Sequence, residues 1–92
     1  MKPKPVNLTK ATIAFLKQEA HHVTLIQMQD RQWMITFLMK QKEGHEALCT
    51  LLTQRGEIRT WAHTDRLFTF IQERFKVETG EFKLQAAPFV KK

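Results

Sequence analysis

The sequence has no tyrosine, one cysteine, three glycines and three prolines among its 92 residues. A single thiol, Cys49, makes no disulfide within the chain, so packing must hold the fold, and a reduced, cytoplasmic protein is expected. Sparse glycine and proline exclude collagen-like and low-complexity chains. Long apolar runs are also missing. The richest stretch, Trp33 to Met39, contains Thr36 and falls far short of a membrane span. The run Ala11–Leu16 stops at Lys17, so neither a signal peptide nor a membrane partner is expected. What is present is 42% hydrophobic and 26% charged, enough for one small core and no second.

Acid is the scarcer charge, with nine Asp and Glu against fifteen Lys and Arg, a net of +6. Such an excess points toward polyanions. Its distribution narrows the inference. Lys2, Lys4, Lys10 and Lys17 face no acid in residues 1–18, whereas residues 19–56 balance to zero. Without Lys2, Lys4, Lys91 and Lys92 in the terminal segments, the body carries only +2.

The hydrophobic period divides the chain. Pro3 and Pro5 disfavour a regular ladder, so residues 1–6 are expected to be a flexible basic tail. Asn7 or Thr9 caps a helix over Leu8–Ala20, with Leu8, Ala11 and Phe15 on its apolar stripe and Glu19 in line with them. From His22 the period drops to two. Val23, Leu25 and Gln27 take one face of a strand, and Thr24, Ile26 and Met28 the other. Asp30-Arg31-Gln32 turns the chain into Trp33–Lys40, rich in aromatic and branched residues. A polar loop, Gln41–His45, leads to a third strand, Glu46–Thr53. Gly56 supplies the positive φ of a tight turn before a fourth strand, Ile58–Ala62. A second helix follows, capped by Thr64 or His63, with Leu67, Phe68, Ile71 and Phe75 as its stripe and Phe70 widening it. Gly80 ends the helical pattern, and Glu81–Gln85 is a short last strand.

The predicted architecture is therefore α+β. It has an N-terminal helix, a four-stranded antiparallel β-meander, a second helix packed on the sheet and a short C-terminal strand. Residues 7–86 form the single domain and residues 87–92 a C-terminal tail.

The Trp33–Lys40 strand is apolar on both sides. Trp33, Ile35, Phe37 and Met39 point one way, Met34 and Leu38 the other, where a wet face should be polar. Either the two helices cover opposite faces or another subunit covers one. Met34 and Leu38 are thus candidate interface residues for a homodimer or another protein partner.

Catalytic chemistry finds little purchase. Cys49 lies within a strand run and at no helix N-terminus, as a small buried residue would. His21, His22, His45 and His63 lack metal-ligand spacing with it, no acids pair on one face, and no glycine-rich loop cradles phosphate. No enzyme, metal or cofactor is expected. Basic and aromatic residues remain. Arg55, Arg59 and Trp61, joined by Arg31, Lys40 and Lys42 on neighbouring loops, could hold phosphates by charge and bases by stacking. Lys2 and Lys4, with Lys10, could form a basic arm. Alternatively, Trp61 is core and the arginines pair with Glu57 or Glu46.

The segments Trp33-Met34-Ile35-Thr36-Phe37 and Leu51–Trp61, with Arg55-Gly56-Glu57 and Arg59 in a strand–turn–strand and Asp65 opening the next helix, resemble small plasmid-borne partition-accessory proteins. The resemblance spans residues 33–75 and implies a non-enzymatic role in plasmid maintenance. The functional expectation is a small accessory that binds nucleic acid. Its rival is a protein–protein interaction module, an inhibitor or self-associating adaptor, acting through the apolar sheet face.

Overall fold

The computed structural model describes residues 2–84. In chain order the elements are β1 (Lys4–Val6), α1 (Leu8–Leu16), β2 (Ala20–Gln27), β3 (Trp33–Lys40), β4 (Glu46–Leu51), α2 (Thr64–Phe75) and β5 (Glu81–Lys83). The class is α+β as expected, but the sheet is mixed. Its strand order is β1-β4-β3-β2-β5. β2, β3 and β4 are an antiparallel meander, while β1 joins β4 and β5 joins β2 in parallel.

Two expectations are corrected together. Residues 4–6 are not a tail: Lys4, Pro5 and Val6 stand beside Cys49, Thr50 and Leu51. An edge strand bonds on one side only, so it tolerates proline where the missing N–H faces outward. Val6 O accepts from Leu52 N at 2.9 Å. Backbone groups therefore turn inward at Val6 and outward at Pro5. Because β1 occupies the outer edge of β4, a fourth meander strand has no place there. Ile58–Ala62 makes isolated bridges instead, Leu52 with Ile58 and Trp33 with Trp61, and Arg59 N donates to Leu51 O on the side of β4 away from β1. The expected turn before it is present, with Gly56 at φ +87°.

Asn7 caps α1, its side-chain oxygen accepting from Lys10 N at 2.7 Å. The helix ends at Leu16, four residues before the expected Ala20, because Gln18 takes a left-handed φ of 63° and turns the chain into β2. Ala11 and Ala14 are its buried residues, small enough to bring the helix close to the sheet. Leu8 and Phe15 pack at the margin. In α2, Leu67, Ile71 and Phe75 are buried as the stripe requires, but Phe68 stays half exposed. Asp65 in the first turn and Arg74 in the last complement the helix dipole.

Both helices lie on one face of the sheet. Phe37, fully buried on β3, meets Phe15 of α1 at 5.1 Å and Phe75 of α2 at 6.3 Å between ring centroids. Phe15 and Phe75 stack on each other at 4.2 Å. Ile35, Met39, Leu25, Val23, Cys49 and Leu51 complete this single core. β5 closes the far edge, and the part of the expected strand at Gln85 lies outside the described residues. So do Pro88, Lys91, Lys92 and the tail as a whole.

Candidate interaction surfaces

Pleating sends alternate residues of β2, β3 and β4 to the face opposite the helices. Thr24, Thr36 and Thr50 stand in one row across those strands. They are 8%, 3% and 0% exposed. Ile26 and Met34 flank the row on one side, and Leu38 and Leu48 on the other, all half-buried. Three small branched side chains thus floor a furrow between apolar ridges, which shield them although no helix lies above. Thr50 Oγ1 donates to Ile35 O at 2.6 Å, so its hydroxyl makes no demand on a partner. This is the face turned away from the Phe15–Phe37–Phe75 contacts. Met34 and Leu38 lie on it as expected, and Ile26 and Leu48 join them through the register.

Charges ring the furrow in balance. Lys40 and Glu46 are cross-strand partners at one end. His21 pairs with Glu46 across Leu38's strand, and His22 Nε2 lies 3.7 Å from Glu81 Oε1. Glu81 and Lys83 on β5 share the face, opposite Thr24 and Ile26.

The residues expected to bind nucleic acid do not form one surface. Lys40 and Lys42 sit at the β3–β4 hairpin. Arg31, Arg55 and Arg59 belong to the opposite end, where Thr60 Oγ1 bonds Gln32 Oε1 at 3.1 Å and Trp61 bridges Trp33. β3 separates the two groups by roughly 23 Å. Lys4 is fixed in β1 and its Nζ donates to Gln41 Oε1 at 3.2 Å, so it is no mobile arm. Lys2 is exposed ahead of it. Trp61 is no open stacking platform either: its half-buried ring packs against Phe70 at 5.0 Å. Arg59 places its guanidinium carbon 5.9 Å from the centre of that same Phe70 ring. Among the described residues, neither Arg55 nor Arg59 pairs with a carboxylate, and Glu46 is engaged by His21 instead.

Cys49 is fully buried under the core, its Sγ 3.6 Å from Ala47 O. Burial pushes its thiol pKa up, with Lys4 and Lys10 pulling the other way. A thiol held protonated is a poor nucleophile. Among the described residues no three of His, Cys, Asp and Glu gather as metal ligands. No helix among them is long and apolar enough to cross a membrane. No protein-family model, curated protein or solved structure matches the chain.

Proposed function

We propose that this chain is a non-enzymatic interaction module that self-associates through the helix-free face of its sheet. The observation that carries the reading is the apolar furrow of Ile26, Met34, Leu38 and Leu48 around the threonine row, on the face turned away from both helices. A contiguous, partly exposed apolar surface marks contact sites. The rim favours a second copy over a charged partner. Lys40 with Glu46, and Lys83 with Glu81, offer both signs, so a two-fold apposition can match each charge with its opposite. Two-fold dimers are also the commonest oligomers. Sedimentation at micromolar concentration should give twice the chain mass, and Leu38→Glu should return it to one. A parent protein monomeric at every concentration would overturn the proposal.

A second reading, nucleic-acid binding in an accessory role such as plasmid maintenance, draws on Arg31, Arg55 and Arg59 at one end of the sheet. Arg55 and Arg59 meet no carboxylate there among the described residues. Lys2, Lys40 and Lys42 would contribute only general charge from elsewhere.

A further inference from the structure

The sheet has two outer edges, and the chain treats them differently. At the β1 edge Pro5 stands with its missing N–H outward, which denies an incoming strand a donor. At the other end of the strand order β5 pairs, among the described residues, with β2 alone, and Glu81, Phe82 and Lys83 are all exposed. None of the three is proline, so the outer side of β5 keeps its full set of backbone donors and acceptors. A groove of about 430 Å³ runs beside this edge on the helix side. Val23, Leu25 and Ile71 line its floor, and Phe68 of α2 and Phe82 flank it, 52% and 65% exposed. Leu84, just past β5, is 63% exposed. Large apolar side chains beside an unpaired strand edge are a combination that soluble proteins avoid unless something pairs with it.

The order of residues along β5 selects the occupant. In an antiparallel pair centred on Phe82, each residue faces the one equally far beyond the centre on the other strand. Glu81 of one copy then stands opposite Lys83 of another, and Lys83 opposite Glu81, so opposite charges meet twice. Glu81 lies 3.7 Å from His22 within the chain, yet 68% of its side chain stays exposed for this contact. Phe82 meets Phe82 of the second copy on the helix side. Leu84 comes opposite Gly80, which lines the groove and has no side chain to occupy it. A foreign peptide with charge of one sign would match only one of Glu81 and Lys83. We infer that the β5 edge is a docking surface for β5 of a second copy, joined antiparallel about a two-fold axis at Phe82. This contact goes beyond the association through the furrow and uses a different part of the sheet. Three strand residues a side bury far less than the roughly 800 Å² per partner of a standard interface, so edge pairing requires a higher protein concentration than the furrow contact. Two separate two-fold contacts on one chain link dimers into larger assemblies.

The test uses the full chain carrying Leu38→Glu, which removes the furrow contact and leaves the edge to be read alone. From micromolar to millimolar concentration, the amide resonances of Phe68 and Glu81–Leu84 should shift, and the sedimented mass should rise from one chain toward two. Glu81→Lys sets like charges opposite each other and should weaken the pairing at least tenfold. Combining it with Lys83→Glu reverses both charges and should restore the pairing. An unchanged melting temperature shows that these exposed substitutions leave the fold intact. If Leu38→Glu itself unfolds, the same resonances are followed in the parent. A parent that is monomeric at micromolar concentration counts against the furrow contact only, because the edge is read from the β5 resonances at millimolar concentration. Resonances of Glu81–Leu84 that stay fixed at every concentration would overturn the inference. So would β5 amides equally protected from exchange at every dilution, since the edge would then be covered within one chain. A charge-reversed double variant as weak as Glu81→Lys alone would overturn it as well.

Discussion

Phe37 shows how much one side chain can organise. It is fully buried on the central strand and touches an aromatic ring from each helix. Removing the ring deletes its burial and leaves a cavity that neither helix can fill without losing the Phe15–Phe75 stack. Phe37→Ala should therefore cost about 3–5 kcal/mol, measured as a fall in urea midpoint with little change in slope. A midpoint within experimental error of the parent would show that Phe37 is not the keystone of this core. Thr50 is the counterpart on the opposite face: equally buried, with its hydroxyl bonded to Ile35 O. The contrast between these two residues defines which face of the sheet is finished and which is not.

Among the elements, β5 depends on a close approach that only glycine permits. A Cβ at Gly80 would stand 2.9 Å from Val23 O, a backbone atom that cannot swing aside. Gly80→Ala should push β5 off β2, with a loss of about 1–3 kcal/mol. Amide exchange should accelerate at Glu81–Lys83 while β3 remains protected. Unchanged exchange there would mean the strand accommodates the methyl. The elements also differ in how far their sequences announce them. β3 has the expected bounds, Trp33–Lys40, because branched and aromatic residues fill it from end to end. The α2 stripe is legible at Leu67, Ile71 and Phe75 but not at Phe68, which stays half exposed. β1 is not, since Pro3 and Pro5 speak against a ladder locally and only the position of β4 makes an edge available. The Ile58–Ala62 segment suits a strand by composition, but it only bridges Leu52 and Trp33, on the side of β4 away from β1. The furrow was legible in part, through Met34 and Leu38 alternating with core residues.

At the scale of the molecule, charge and apolar surface lie apart. The helix-free face balances its signs, while Arg31, Arg55 and Arg59 gather at one end. If that end meets nucleic acid, counterion release should make the affinity fall steeply from low to physiological salt. Titration of labelled duplex and single-stranded DNA at two salt concentrations checks this, with Arg55→Ala and Arg59→Ala expected to weaken binding. Absence of binding at the lower salt would remove the nucleic-acid reading and leave the dimer untouched.

The proline-bearing edge strand has a consequence for assembly in time. The hairpins of β2, β3 and β4 close between near neighbours, but Lys4 must find Cys49 across 45 positions. Closing a long loop is slow relative to closing a hairpin. During synthesis β1 must therefore wait until β4 has followed it. Until then the outer edge of β4 is open to any extended segment that arrives first, its own Ile58–Ala62 included. By occupying that edge, β1 closes it to later segments of the chain and to strands of other molecules.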